Sequence, residues 1–216
     1  MKFTIRLLNF CTMSAIAVAL AGCGPILAPQ PDPSKFYLLT PTTDTAAASA
    51  AAQSVGGDFA IGLGPINLPP YLDRPEVVAR AAPNRLEISK TERWGESLQN
   101  GFTSVMARDL AAQMGTQQIV IFPWYGTTHV DLQVQIDVYR FETDGQGNAQ
   151  LSAKWTILDS TGKSIRYTAE SNLTQPSKPG DATDAAAALS RAVGDLSGQI
   201  ANMIHQLRSQ QRAHPA

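Results

Sequence analysis

The stretch "VDLQVQIDV" (130–138) decides the fold. Val130, Leu132, Val134, Ile136 and Val138 take alternate positions, with Asp131, Gln133, Gln135 and Asp137 between them. Successive side chains of a strand point to opposite faces, so this pattern gives one dry face and one wet face. A strand of that kind belongs to an antiparallel sheet with its helices on a single side. At Tyr139 the alternation slips phase, which predicts a β-bulge or a change of neighbour.

The flanking sequence repeats the theme. "DGQGN" (144–148) reads as a hairpin loop into "LSAKWTI" (151–157), where Leu151, Ala153, Trp155 and Ile157 share a face. "DSTGK" (159–163) turns the chain again towards Ile165, Tyr167 and Ala169. Upstream, "KFYLLT" (35–40), "FAIGLGPINLP" (59–69), "EVVAR" (76–80) and "NRLEIS" (84–89) have strand character, and "QQIVIFPW" (117–124) reads as a short buried strand stopped by Pro123.

Two segments are helical. Trp94, Leu98, Phe102 and Val105 recur at helical spacing and predict a helix from Trp94 to Met114, with Gly115 as its C-terminal cap. A longer helix, capped by Thr183 and running to about Arg208, carries a narrow seam of Leu189, Val193, Leu196, Ile200, Met203 and Leu207. The fold class is α+β: an antiparallel-rich β-sheet with two main helices packed on one face.

The N-terminal end has a different logic. Lys2 and Arg6 precede an apolar core, Leu7 to Leu20, of about 21 Å as helix, too short and too polar for a membrane span. That is the build of a secretory signal. Its end, Leu20-Ala21-Gly22-Cys23, resembles the bacterial lipobox. The resemblance implies cleavage before Cys23 and three acyl chains on it, an anchor that is effectively permanent because each buried CH₂ contributes about 0.8 kcal/mol. Cys11 leaves with the signal and Cys23 is blocked, so no disulfide is expected. Gly24, where an aspartate would retain a lipoprotein at the inner membrane, points to the outer membrane, with the domain facing the periplasm.

The expected organisation is a signal over 1–22, an acylated cysteine and proline-rich tether over 23–34, a domain over 35–208 with a flexible Ala/Thr-rich loop at 41–58, and a disordered tail over 209–216. The tether holds Pro25, Pro29, Pro31 and Pro33 and reaches roughly 30 Å in extended geometry, enough to lift the domain off the headgroups. Of the 17 basic residues Lys2 and Arg6 go with the signal, leaving 15 against 18 acidic ones. That balance argues against nucleic acid as a partner.

The residues offer little chemistry. His129, His205 and His214 are scattered, and there is no free thiol, metal-binding pair or nucleophile elbow. "TGKS" (161–164) has Ile157 where a phosphate loop needs glycine, so it reads as a hairpin turn. Asp109 falls on the apolar arc of its helix and requires a partner, either an arginine or loop backbone amides. Neither catalytic residues, cofactor nor metal is expected.

The stretch "LPPYLDRPEVVARAAPNRLEISKTERWGESLQNGF" (68–102) crowds Tyr71, Arg74 and Trp94 among prolines. These residue types carry interface energy, and prolines fix the loop that presents them. The alternative is a rigid cover over the core. The order "GPINLPPYLDRPEVVAR", "NRLEISKTERWGESLQNGF", "VIFPW" and "VDLQVQIDVYRFE" resembles the ABC-type transport auxiliary lipoproteins, from Lys35 to Leu207. The resemblance implies a non-enzymatic subunit of an MCE-type lipid transport system, which docks an MCE-domain protein at the outer membrane. Tyr71, Arg74 and Trp94 are its partner-contact candidates. A lipid-binding carrier with its own acyl-chain cavity is the competing expectation, and a periplasmic hydrolase the third. The seam of the last helix leaves a homo-oligomer open.

Overall fold

The structure is a computed structural model that describes residues 31–42, 59–124 and 128–213. The signal, Cys23, the tether up to residue 30, most of the Ala/Thr-rich loop (43–58) and the last three residues lie outside the described residues. Chain contacts separate two units, Met1–Pro33 and Ser34–Ala216, and the architecture below is that of the second.

Its elements are β1 (Lys35–Tyr37), β2 (Ile61–Asn67), β3 (Glu76–Ala82), β4 (Arg85–Trp94), α1 (Leu98–Met114), β5 (Ile119–Ile121), β6 (Leu132–Thr143), β7 (Ala149–Asp159), β8 (Ile165–Gln175) and α2 (Ala182–Ala213). The eight strands form one mixed sheet, and α1 and α2 pack on it and on each other. This is the expected α+β class. The long ladders, β6 with β7 and β7 with β8, are antiparallel.

Strand β6 organises the sheet. One edge pairs with β7 along its length, from Leu132↔Asp159 to Thr143↔Ala149. The other edge takes two parallel neighbours in succession, β2 from Ile61↔Leu132 to Asn67↔Asp137 and β3 at Ala79↔Thr143. The chain between β2 and β3 therefore moves along a single edge of β6, and that connector is the proline-rich stretch 68–75.

All five apolar residues of the alternating run are buried. On the reverse face Asp131 accepts the Ala60 amide at 2.7 Å and Gln133 donates to the Ser160 carbonyl at 3.0 Å, so this face is wet mainly towards Asp137. The expected phase slip is a bulge between Val138 and Arg140. Beyond it Phe141 and Glu142, neighbours in sequence, are both buried. Phe141 meets Phe102 of α1 edge to face at 5.1 Å.

Several expected boundaries move. Trp94 ends β4 instead of starting α1: its amide donates to the Pro75 carbonyl at 2.7 Å, and Tyr37 of β1 lies beside it. Sheet pairing outweighs helical spacing there, and Ser97, whose side chain accepts the Asn100 amide, is the N-cap. Gly115 caps the other end in the left-handed conformation (φ 62°), as expected. The strand expected to be buried before Pro123 is an edge strand, β5, with Ile121 46% exposed. Helix α2 is capped by Asp181, whose carboxylate accepts the Thr183 and Asp184 amides, and not by Thr183. It runs past Arg208 to Ala213.

The seam of α2 is broader than the spacing predicts. Leu189, Val193, Leu196 and Ile200 are joined by buried Ala188, Ala192, Ala201 and Ile204, because the helix packs on β7 and β8 with one flank and on α1 with the other. The segment after β1 crosses this helix pair. Leu39 is buried, the Thr40 amide donates to Ser190 at 3.1 Å, and the Thr42 amide and hydroxyl donate to the Asp109 carboxylate at 2.9 and 3.3 Å. The buried acid on the apolar arc of α1 is thus held by a loop backbone amide. "TGKS" lies in the β7–β8 turn, where Asp159 accepts the Thr161 and Lys163 amides and Gly162 takes φ 70°.

Candidate functional site

The connector 68–75 is shaped locally before it is packed. Pro69 is extended, and Pro70–Leu72 form a single 3-10 turn closed by Leu72 N–H to the Pro69 carbonyl at 3.0 Å. Proline at the start of such a turn loses no needed donor, and its fixed φ holds the bend. Leu72, 3% exposed, inserts into the core and pins the turn. The side chain of Gln99 on α1 reaches back to the Ile66 carbonyl at 2.7 Å, tying the first turn of the helix to the end of β2.

Between the connector and the start of α1 lies a recess of about 680 Å³. Leu68, Pro69, Pro70, Pro75, Leu98 and Trp94 give it apolar walls, and Asp73, Arg74 and Glu96 supply charge. Trp94 is 7% exposed, so it serves as floor. Arg74 is half-buried, and its Nε is shielded from solvent with no hydrogen-bond partner. A shielded donor left unpaired costs about 1–3 kcal/mol.

Of the three partner-contact candidates, the recess brings together Arg74 and Trp94. Tyr71 points elsewhere. Its hydroxyl donates to Glu142 Oε2 at 2.6 Å, and the Arg80 guanidinium sits 5.8 Å from its ring centre. Glu142 is fully buried and also accepts Arg80 Nε at 2.6 Å, Arg140 Nε at 3.1 Å and the Phe141 amide at 3.0 Å. Burial pushes its carboxyl up, but the donors Tyr71, Arg80 and Arg140 outweigh that and hold it below the ordinary carboxylate value. The hydrogen bond to Glu142 raises Arg80 in turn, against its own partial burial.

Sequence reasoning missed Glu142. Its burial depends on the bulge at Tyr139, which puts two consecutive residues inside, and on Arg80 and Tyr71 arriving from distant segments. The one available signal is that an acid follows an arginine by two positions just past the phase slip.

Tyr71 is pushed up to about 12, first by burial and then by the hydrogen bond to Glu142. A group whose folded pKa is raised stabilises the fold below its unfolded value and loses that contribution as pH rises through the folded one. Stability is therefore expected to fall between pH 10 and about 12, and Tyr71→Phe to flatten that fall in thermal melts.

A second recess, about 490 Å³, lies between the β3–β4 hairpin and the first turn of α2, with Arg85, Glu87, Glu92, Lys178 and Asp181 on its walls. Exposed apolar residues gather at the sheet edges: Phe36 and Leu38 at and just beyond β1, Ile121 and Phe122 at and just beyond β5. Among the described residues no three His, Cys, Asp or Glu side chains come together as a metal site needs, and no helix is long and apolar enough to cross a membrane. His205 is exposed, 3.5 Å from the Gln113 carbonyl.

Comparison with known proteins adds the following. The family model described as the ABC-type transport auxiliary lipoprotein component matches residues 37–201, a span holding the connector, both helix starts and Glu142. No curated protein matches the sequence. Among solved structures, a Xanthomonas campestris protein designated DUF330 superposes with a TM-score of 0.65 at 16% identity, over 84% of this chain and 100% of its own. A crystal structure of an uncharacterised protein gives 0.63 at 15%, over 79% and 98%. At such identities the likeness is one of fold.

Proposed function

The chain belongs to the family of ABC-type transport auxiliary lipoprotein components, and from that premise we propose that it docks the conduit of an MCE-type intermembrane lipid transport system at the outer membrane. In this reading the protein is anchored there through acylated Cys23, faces the periplasm and supports membrane integrity without catalysis. Family membership carries the coarser statement, a lipoprotein that assists a transport system. The finer one rests on the motif order, which within the family most resembles PqiC, an intermembrane transport lipoprotein.

The recess of the connector is the observation that supports docking most. Its prolines hold a preformed wall, so a partner segment entering it loses little ordering entropy on the side of this chain. Arg74 stands on its wall beside apolar surface, and arginine is among the residue types enriched at interface hot spots. The carrier alternative needs an underfilled face between sheet and helices. That space is occupied by Leu151, Ile157, Leu196 and Ile200, all fully buried, and by Trp155, whose indole donates to Ser171 at 2.9 Å.

The test is a mild-detergent pulldown through a tag after Ala216, with co-purifying proteins identified by mass spectrometry. An MCE-domain protein is expected, and Arg74→Ala is expected to lower its recovery about tenfold, the scale of a hot-spot truncation. Tyr71→Phe, which loses the bond to Glu142 and keeps the ring, should leave recovery near the parent. If the protein emerges without an MCE-domain protein and carries bound lipid, the carrier reading replaces this one.

A further inference from the structure

The segment that opens the domain is apolar on both faces. Tyr37 and Leu39 pack on the core, while Phe36 and Leu38 take the alternate positions and stay 66% and 55% exposed. Strand β1 lies at the end of the sheet and, among the described residues, pairs with β4 alone. Outward positions of such a strand ordinarily carry polar or charged side chains. These two are held by paired backbone and not by a frayed end. The Gly95 amide donates to the Tyr37 carbonyl at 2.8 Å, and Leu38 lies over Gly95, with its Cδ2 3.1 Å from where a Cβ would stand. Arg93 stands beside Phe36 in the ladder and Glu76 beside Arg93, one charge of each sign, so the patch has no net charge to set it against an anionic bilayer.

The patch stands where the chain comes from its anchor. Residues 24–34 separate Cys23 from β1, and at about 3.3–3.6 Å per residue they keep the strand within about 40 Å of that cysteine. This length is the furthest the domain can stand off the bilayer, not its resting distance. Two exposed apolar side chains give a free domain only weak, reversible membrane binding. On a tether this short the bilayer is presented at an effective concentration in the millimolar range, so weak binding is enough.

We propose that Phe36 and Leu38 lodge in the headgroup–acyl boundary of the membrane that holds acylated Cys23, a second contact of the domain with the lipid surface. The inference rests on the anchored reading above. Ile121, Phe122 and Ile165 are comparably exposed, but no anchor lies near them in the chain. Gly95, under Leu38, is followed by Glu96 in the wall of the connector recess, so the same contact sets that recess beside the bilayer.

The experiment uses the full chain, acylated and reconstituted in vesicles of phosphatidylethanolamine and phosphatidylglycerol. Cys11 leaves with the signal and Cys23 is blocked, so an introduced cysteine is the one free thiol. Leu38→Cys and Gln206→Cys, the second exposed on α2 across the sheet, each take a polarity-sensitive dye. A nitroxide near the headgroup end of the lipid chains is expected to quench the dye at position 38 at least about threefold more than at 206. Adding Phe36→Asp to Leu38→Cys puts a charge in the contact and should lower that quenching at least about twofold. Both side chains are exposed, so neither change disturbs the core. Equal quenching at the two positions overturns the proposal, and so does a dye at 38 that shifts to the blue without being quenched, because protein then covers it. The intact mass separates this failure from that of the premise. An acylated chain with equal quenching overturns the contact alone, whereas a chain without acyl groups on Cys23 overturns both.

Discussion

Glu142→Ala is expected to destabilise the domain by about 3 kcal/mol, the lower part of the range for removing one member of a buried ion pair. The carboxylate is fully buried and accepts from four donors, while Arg80 and Arg140 are 22% and 37% exposed and recover some hydration when it is lost. That access to water sets the effect at the low end. The Tyr71 hydroxyl and the Phe141 amide are left without their acceptor. For a domain of this size the loss corresponds to a fall in Tm of about 6–12 °C. Urea titration and a thermal melt of parent and variant measure it, and a change under about 0.5 kcal/mol would show that the network carries no stability.

The pH dependence has a fixed sign. Because the folded carboxyl is held below its ordinary value of 4.5, its contribution is present above that value and disappears as pH falls through the folded pKa. The gap between parent and Glu142→Gln should narrow on acidification below about pH 4.5 and stay constant at neutral pH. Position gives the network a further role. Glu142 ties the end of β6 to Arg80 on β3 and to Tyr71 in the connector, whose other residues wall the recess. Its loss is expected to raise hydrogen exchange at Leu72 and Asp73 before the helices respond.

What could be read in the sequence is what depends on local period. The alternation over 130–138 gives β6 and its dry face, the hairpin turns at 144–148 and 159–163 stand where Gly, Asp and Asn place them, and Gly115 ends its helix. What could not be read depends on partners far away along the chain. The parallel insertion of β2 beside β6, the extension of β4 through Trp94 and the burial of Glu142 each require a neighbour more than fifty residues distant. Helical spacing claimed Trp94 because position 94 suits both periods, and β1 settles the choice by pairing with it. The contact candidates divide for the same reason. Tyr71 and Arg74 are three residues apart, yet a 3-10 turn sends one hydroxyl to Glu142 and leaves the guanidinium lining the recess.

Gly194 presents the second large effect, and its direction opposes helix propensity. Glycine inside a helix costs about 1 kcal/mol relative to alanine, so Gly194→Ala on an open face would stabilise α2. Here the segment after β1 passes directly over the position. A Cβ on Gly194 would lie well inside contact with the Thr42 hydroxyl and 3.0 Å from its methyl group. Thr42 has little freedom to withdraw, because its amide and hydroxyl are both bound to the buried carboxylate of Asp109. Either α2 shifts on the sheet or the crossing segment lifts and strips Asp109 of these donors. The first is overpacking, at about 1–3 kcal/mol, and the second leaves part of a buried carboxylate unsatisfied at a similar cost. Gly194→Leu, with no room in either direction, is expected to lose about 3 kcal/mol. Thr42→Ala separates the clash from a general intolerance of the site: it removes the two colliding atoms, keeps the amide bond to Asp109 and leaves the threonine Cβ at 3.1 Å. Alone it should cost under about 1 kcal/mol, since the hydroxyl bond is long at 3.3 Å. Combined with Gly194→Ala it should recover most of the loss, giving a coupling of at least about 1 kcal/mol in a double-mutant cycle. Additive losses would mean that the segment does not press on the helix, and that the glycine answers to something other than Thr42.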